Sequence, residues 1–425
     1  MKSYWRNIIA CGIIPGGIIL AGVLALATGW ADEPKDPKEP DDPVARLQRQ
    51  LDKGETTLAY RADGFGYLPS LLEHMGVNID SQVLVFSKTS FQSDLIGPKA
   101  PRSLFFNDNV YVGYVQKGPV LEFIGVDPAQ HINFYTLNVE KTGKPHFDRQ
   151  DRKCTNCHDA GAISRLEVQS TIPEADGTPF VVLGGAQPTD TDDRTPLEKR
   201  WGGWYVTGTH GSQRHMGNAV APDLFHPFDL ETRDTQNITS LAGKIDIKNY
   251  LAPTSDIVAL MTLEHQTRMI YLIASVSRLF NAALAPGAGG LNSRNAGALD
   301  AAVDEMVTYM LFADETPLLD PVKGVSTFTT TFPARGPRDK QGRSLRDFDL
   351  KTRMFRYPLS YMIYSELFDN MPQAARERIY RRIYDVLTGK DTSSKFARLS
   401  AEDRRAALEI VQETKANLPG YWKGL

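Results

Sequence analysis

The sequence predicts an α+β fold, with a small antiparallel β-rich N-terminal segment, a loop-rich region and a mainly α-helical C-terminal half. Three observations predict it. Short runs of β-branched and aromatic residues cluster between residues 82 and 137, residues 151–250 are rich in Gly, Pro, Asp and Thr, and helical patterns return after residue 255. Because strands and helices occupy different parts of the chain, the pattern is typical of α+β proteins.

Four segments are predicted as strands of one small antiparallel sheet. Each is a short β-branched or aromatic run, and residues with turn propensity stand between or beside the runs. The turn pairs are Asn107-Asp108, Lys117-Gly118 and Asp127-Pro128. The predicted strands are residues 82–86, 110–115, 121–126 and 133–137.

Five segments are predicted as helices, at residues 256–284, 298–312, 361–370, 373–387 and 401–417. Ser255 is a candidate N-cap for the first helix, and Ser400 begins a pattern close to a capping box at the start of the last. On the first helix, Glu264-His265-Gln266 is predicted to form an exposed shoulder, whereas Met261 and Met269 are predicted to pack in the core.

The N-terminus is predicted to be an export segment. Lys2 and Arg6 precede an apolar run over residues 8–30, and an acidic, proline-rich stretch follows, which favours an N-in, C-out orientation. Residues 1–31 are either a signal peptide, cleaved after a small-x-small site at residues 25–27 or 29–31, or an uncleaved membrane anchor. Both alternatives predict a folded part in the periplasm or on the outer face of the cytoplasmic membrane.

The rest of the chain is predicted to divide into an acidic, Pro-rich linker at residues 32–45, a β-rich domain at 46–150, a cofactor-binding region at 151–285 and a mainly helical region at 286–425. The formal charge of −3 over 425 residues gives no support to nucleic-acid binding. Only three cysteines are present, Cys11, Cys154 and Cys157, so a fold built on disulfides is excluded.

Cys154-Thr-Asn-Cys157-His158 is the CxxCH pattern of covalent haem attachment. Two thiols three residues apart can add to the two vinyl groups of one porphyrin, and the adjacent histidine supplies an axial nitrogen to the iron. A disulfide would lack a thioredoxin-like context, and a zinc site would lack a second CxxC or HxxxH. The sequence therefore predicts one covalent haem c, with Cys154 and Cys157 as thioether anchors and His158 as a ligand of the haem iron.

Three residues are candidates for the second axial position of the iron. Met216 and His210 lie in one loop-like stretch, and His265 lies on the first predicted helix, in line with Met261 and Met269 at a spacing of four residues. A methionine ligand would raise the reduction potential, a histidine would lower it, and an open position would permit catalysis or gas binding. The sequence does not choose between these alternatives.

Other stretches resemble segments of known proteins. They are Val83-Leu-Val-Phe-Ser-Lys-Thr-Ser90, Phe106-Asn-Asp-Asn-Val-Tyr-Val112, Arg200-Trp-Gly-Gly-Trp-Tyr-Val-Thr-Gly-Thr-His210 and Arg214-His-Met-Gly-Asn218. The motif resembles that of c-type cytochromes, and these stretches resemble a group of large, uncharacterised bacterial monohaem proteins with cytochrome c domains. The resemblance implies haem binding and export, and it implies no reaction.

Three functional hypotheses follow. The first is an exported monohaem electron carrier that exchanges electrons with unidentified redox partner proteins, because one haem motif stands without a nucleotide loop, GxSxG or HExxH. The second is a peroxidase-like haem enzyme with an open distal site, for which His210, His215 and His265 are candidate bases. The third is a haem-containing docking subunit of a redox complex. In each hypothesis, residues 8–30 could attach the protein to the membrane.

Overall fold

The computed structural model describes residues 39–129, 132–141, 143–150, 166–180, 188–223, 226, 230 and 234–423, and all structural statements below refer to these residues. The stretch Pro40–Leu425 forms one compact unit. The predicted export segment and the residues Cys154, Cys157 and His158 lie outside the described residues. Among the described helices, none combines the length and the apolar character that crossing a membrane requires.

A seven-stranded antiparallel sheet occupies the N-terminal half of the described chain, in the order β6-β5-β4-β3-β2-β1-β9. Its strands are β1 (Val83–Val85), β2 (Arg102–Phe106), β3 (Val110–Tyr114), β4 (Val120–Val126), β5 (Ile132–Asn138), β6 (Phe147–Arg149) and β9 (Trp204–Tyr205). A separate pair joins β7 (Val168–Ser170) to β8 (Thr189–Thr191). The four predicted strands are confirmed as β1, β3, β4 and β5.

The two faces of this sheet contact different parts of the molecule, as the alternation of side chains along a strand requires. On β3, Val112 belongs to a core with α1 (Pro43–Lys53) and α2 (Leu68–His74). Its neighbour Tyr111 belongs to the larger core, which includes the C-terminal helices. The sheet is therefore buried on one side by the N-terminal helices and faces the helical half on the other.

The long helix α3 (Ile257–Leu284) has 28 residues, or about 42 Å of length. Asp256, one residue after the predicted cap, is its N-cap and accepts hydrogen bonds from the backbone N–H groups of Val258 and Ala259. The prediction of an exposed shoulder on this helix is wrong: Glu264, His265 and Gln266 are all fully buried. Their polar groups are compatible with burial because each is hydrogen-bonded inside the protein.

The remaining helices make up most of the C-terminal half. They are α4 (Ser293–Met310), α5 (Phe328–Ala334), α6 (Glu366–Asp369), α7 (Gln373–Leu387) and α8 (Ala401–Thr414). α3 packs against α4, α4 against α7, and α7 against α8. The fold is therefore mixed α/β in the order that the sequence predicts, with the antiparallel sheet first and the helices after it.

Candidate functional site

The described residues on the two sides of the segment that carries the CxxCH motif lie beside the same cavity. Before the segment, the backbone N–H of Gln150 donates to the carbonyl of Phe134 at 2.8 Å. After it, the chain resumes at Leu166. Phe134 and Leu166 both line a cavity of about 510 Å³. Cys154 follows Gln150 by four residues, which an extended chain spans in at most about 14 Å.

This cavity lies between the sheet and α3. Leu104, Tyr111 and Ile124 contribute from the sheet, and Leu263 and Thr267 contribute from the helix. Its volume lies within the range of small-molecule pockets, about 300–1,000 Å³. Its wall combines apolar side chains with polar and charged ones, among them Lys88, Arg102, Glu122 and Glu167. The described residues therefore enclose a cavity of the size that small-molecule ligands occupy.

Gly113 forms part of the cavity wall in the middle of the sheet. It pairs with Leu104 on β2 and with Glu122 on β4. A Cβ atom at Gly113 would lie 3.3 Å from the Cβ of Glu122 and 3.5 Å from the Cδ2 of Leu104. A side chain at this position would therefore crowd Glu122, whose Oε2 also lies 3.3 Å from the Cβ position. An isolated glycine inside a strand run is a known signal of such a close approach.

One ion pair lies in the cavity wall. Arg102 Nη1 and Glu122 Oε2 are 2.7 Å apart, and their side chains are only 17% and 16% exposed. Glu122 Oε1 also accepts hydrogen bonds from Ser90 and Gln92. Arg102 Nε is buried and has no hydrogen-bond partner among the described residues. The wall thus contains a largely buried ion pair, whose Arg102 Nε is enclosed by the protein.

Of the three candidates for the second axial position, His265 is the most deeply integrated. Its Nδ1 lies 2.9 Å from Asp193 Oδ2, and its Nε2 lies 2.7 Å from Ser360 Oγ. Its ring stacks on Tyr309 and Phe312 at centroid distances of 5.3 and 4.6 Å. Both ring nitrogens are hydrogen-bonded, so coordination of iron would require the breaking of a buried bond.

Asp193, His265 and Ser360 share the hydrogen-bond pattern of a nucleophilic triad. All three are buried, and none of them lines the cavity described above. Ser360 Oγ also accepts from the backbone N–H of Met362 at 3.3 Å, as the N-cap of a short 3₁₀ turn. A hydroxyl that substrate cannot reach and that caps a helical turn has a structural role.

His210 is likewise engaged at both ring nitrogens. Nδ1 donates to the carbonyl of Gln213 at 2.8 Å, and Nε2 accepts from the backbone N–H of Asn237 at 3.1 Å. This arrangement fixes one neutral tautomer. Burial also lowers the pKa of His210, in agreement with an uncharged ring.

Met216 differs from the two histidines and from the other methionines of the described chain. Its side chain is partly exposed, whereas every other described methionine is buried. Its Sδ lies 3.6 Å from the Oγ of Ser170, the residue directly after Gln169 of the cavity wall. Its backbone N–H donates to the carbonyl of Arg200, which fixes the loop. Met216 is therefore the candidate whose donor atom is least committed to the fold.

His215 was not predicted as an iron ligand, although it lies beside Met216. It is 2% exposed, and its Nδ1 has no hydrogen-bond partner among the described residues. Burial and the neighbouring His210 lower its pKa to about 3. The ring centroids of the two histidines are 4.8 Å apart. No feature of the sequence distinguishes His215 from His210, because the difference arises from their tertiary contacts.

Comparisons with known proteins add no assignment. No protein-family model, no curated protein and no solved structure matches the chain. Within the described ranges, no cluster of three or more His, Cys, Asp or Glu side chains has the geometry to hold a metal ion.

Proposed function

We propose that this chain is an exported monohaem c-type cytochrome that transfers electrons. The observation that carries the proposal is the sequence Cys154-Thr-Asn-Cys157-His158. When bound, the haem supplies one-electron chemistry at its iron. In this proposal residues 151–285 are the loop-rich haem region, between the β-rich and the helical regions, and the protein acts in the periplasm or on the outer face of the cytoplasmic membrane.

The cavity between the sheet and α3 supports haem binding in this part of the chain. Gln150, which precedes the segment that carries the motif, is hydrogen-bonded to Phe134 of the cavity wall, and Leu166, which follows that segment, lines the cavity. An apolar surround excludes water from the iron and so helps to set the potential. The protein's own residues would thereby tune the haem through burial and through charges in the wall.

Covalent attachment is tested by expression of the full chain in a bacterium that has a cytochrome c maturation system. Wild-type protein is expected to retain haem after denaturation and acid–acetone extraction, and its mass is expected to include the haem. The Cys154→Ala/Cys157→Ala double variant is expected to lose this haem. Wild-type protein that carries no covalent haem would refute the proposal.

Electron transfer requires a second protein ligand to the iron, and we propose Met216 for this role. Its sulfur is less engaged than the nitrogens of His210 and His265. Reduced wild-type protein is then expected to be low-spin and unaffected by carbon monoxide. Met216→Leu is expected to bind carbon monoxide readily. Its reduction potential is expected to be lower than that of the wild type, because a methionine ligand raises the potential.

Met75→Leu is a matched control, since Met75 is buried in the core on the opposite side of the sheet. It is expected to keep the wild-type spectrum. If Met216→Leu also keeps that spectrum, Met216 is not the ligand.

A second function, that of a haem enzyme with an open distal position, is favoured by one observation. No histidine or methionine of the described chain lines the cavity. Haem bound there at a distance from Met216 would keep one axial position free for peroxide or another small oxidant. High-spin wild-type protein that binds carbon monoxide rapidly would favour this function over electron transfer.

A further inference from the structure

We infer that the loop between α3 and α4 binds an anionic lipid surface, which goes beyond the proposed function and relies on it only for a location beside a membrane. The contact surface, here called the tip, consists of residues 284–292. It presents two large apolar side chains, Leu284 and Leu291, which are 47% and 37% exposed. Arg278 precedes the tip in the sequence and Arg294 follows it.

The tip presents an apolar surface that carries no charge. The sequence between its two leucines is Ala-Pro-Gly-Ala-Gly-Gly, and five of these six residues are exposed, with Gly290 half-buried. Gly287, Gly289 and Gly290 have positive φ angles of 80°, 81° and 69°, so the turn itself requires glycine there. The loop therefore has no large side chain that could cover the leucines, and a continuous apolar surface of this kind marks a contact site.

Acidic residues distinguish the tip from the other exposed apolar positions. Outside the tip, every large apolar side chain that is exposed in the described chain stands within three residues of an aspartate; these are Tyr60, Ile79, Phe91, Leu95 and Leu319. Residues 278–299, by contrast, contain no acidic residue and two arginines. Anionic head groups repel carboxylates and attract arginines, so the tip is the region among these that suits an anionic lipid surface.

The two arginines beside the tip supply the charge that such a surface attracts. Arg278 and Arg294 are both exposed, and neither has an ion-pair partner among the described residues. A guanidinium group binds phosphate oxygens well, and each basic residue at an anionic membrane surface raises the affinity about fivefold. Because their side chains are long, the arginines can reach the head groups while the leucines enter the interface.

The carboxylates nearest to the tip in the structure are matched by basic groups. Leu291 lines a groove together with Asp300 and Glu377 and with Arg378 and Arg381. Asp300 forms an ion pair with Arg378 at 2.6 Å, which leaves Glu377 and Arg381 as opposite charges in the same groove. The groove is therefore not acidic overall, and the two arginines beside the tip keep their effect.

The position of the tip determines which part of the molecule a membrane contact leaves accessible. The opposite end of α3 adjoins the loop that carries His210 and Met216, since the backbone N–H of Ile257 donates to the carbonyl of Thr207 at 2.9 Å. The 28 residues of α3 separate the two ends by about 42 Å. Binding of the tip to lipid would therefore leave this loop free to meet a redox partner.

Hydrogen exchange of the full chain, purified as its expression host exports it, tests the contact. The protein is mixed with vesicles of phosphatidylcholine that contain an equal part of phosphatidylglycerol, or with vesicles of phosphatidylcholine alone. Amides of residues 284–292 are expected to exchange about tenfold more slowly on the anionic vesicles than in free protein, and less slowly on the neutral ones, because lipid contact protects the backbone. The measurement reports on the tip itself, whether or not residues 8–30 also bind the membrane.

Two double variants separate the apolar contribution from the charge. Leu284→Ser/Leu291→Ser is expected to abolish the protection of the tip, and Arg278→Gln/Arg294→Gln is expected to lower it about fivefold or more on anionic vesicles. Leu319→Ser is the matched control, because Leu319 is 81% exposed and lies outside the tip, and it is expected to leave the protection unchanged. Thermal unfolding is expected to give the wild-type Tm for all three variants, since the replaced side chains lie at the surface.

Two results on vesicles would overturn the inference: unchanged exchange of residues 284–292 on anionic vesicles, and equal protection on neutral and anionic ones. Protection that appears without vesicles as the protein concentration rises would also overturn it, because a second copy of the chain would then cover the tip. A chain without covalent haem would refute the proposed function, whereas protection of the tip in that same chain would still support the lipid contact, so the two failures are distinguishable.

Discussion

Glu264, His265 and Gln266 are consecutive residues of α3 and bind three separate groups of partners. Glu264 binds Arg200 and Thr191, His265 binds Asp193 and Ser360, and Gln266 binds Asn107, Tyr111 and Tyr361. Successive residues of a helix are about 100° apart around its axis, so three neighbours can reach three directions. One short polar stretch thereby joins the sheet, the loop before β9 and the C-terminal region.

Buried carboxyl groups near this stretch make the stability depend on pH. Burial, followed by the nearby Asp193, raises the pKa of Glu315 to about 8. Burial likewise raises the pKa of Glu264 to about 7 despite its ion pair with Arg200. Each folded-state pKa exceeds the unfolded value near 4.3, so the folded protein holds protons that the unfolded chain releases. The contribution of these two groups to the free energy of unfolding is therefore largest below about pH 4.5, and it falls as the pH rises towards 8.

Glu315→Gln tests this dependence at one residue. The amide oxygen can still accept the backbone N–H of Met354, which Glu315 Oε1 accepts in the wild type, and it does not titrate. Between pH 5 and pH 8 the free energy of unfolding of the wild type is expected to fall by about 2 to 4 kcal/mol more than that of the variant. Urea denaturation at both pH values measures it. An equal fall in the free energy of unfolding between the two pH values for both proteins would show that Glu315 is ionised in the folded state.

At the scale of elements, Asp42 docks α1 onto the sheet. It is fully buried, caps the helix through the N–H groups of Val44 and Ala45, and accepts hydrogen bonds from Asn133 and Tyr135 of β5. Gly125 on β4 leaves room for the carboxylate, since a Cβ atom there would collide with it. One side chain thus caps the start of a helix and fixes its position on two strands.

Asp42→Ala is expected to destabilise the protein by about 2–4 kcal/mol, because the cap and two buried hydrogen bonds are lost together. The neighbouring Asp41 is exposed and forms ion pairs with Arg46 and Arg49. Asp41→Ala is therefore expected to cost less than about 1 kcal/mol. Chemical denaturation of both variants makes the comparison, and equal losses would mean that Asp42 does not hold α1 on the sheet.

The elements that the sequence predicts well are those set by local patterns. The predicted bounds of α7 agree with Gln373–Leu387, and Ser400 caps α8 through the N–H of Asp403. The strand Arg102–Phe106 was missed, because it is identified by its pairing with β1 and β3 rather than by its own short sequence. The burial of Glu264 was missed for the same reason, since its partners Thr191 and Arg200 are more than sixty residues away.

The candidate site divides in the same way. The CxxCH motif is local, so the sequence alone predicts the haem anchors. Whether the donor atom of each other candidate is already engaged depends on a residue distant in the chain. Ser360 binds His265, Asn237 binds His210 and Ser170 contacts Met216. The ion pair of Arg102 with Glu122 joins two strands that are not neighbours in the sheet. Such contacts follow from the topology, which no local pattern contains.

At the scale of the whole molecule, the sheet has one face that is closed by its own helices and one that contains the cavity. The core under α1 and α2 is formed by side chains of the sheet and of these helices, which pack on one another. The face towards α3 encloses about 510 Å³ of space beside Gly113. A cavity of this size removes packing contacts from its lining. A cofactor that fills it should therefore stabilise α3 and the strands that line the cavity more than the other elements.

Hydrogen exchange can show where the proposed haem stabilises the fold. The wild-type holoprotein is compared with the Cys154→Ala/Cys157→Ala variant, which is expected to lack haem. Backbone amides of β1, β3 and β4 and of residues 166–170 are expected to exchange at least tenfold more slowly in the holoprotein, because filling of the cavity makes local opening more costly. Amides of α8, which contributes no side chain to the cavity, are expected to exchange equally in both. Protection confined to the loop around Met216 would instead mean that the haem lies outside the cavity.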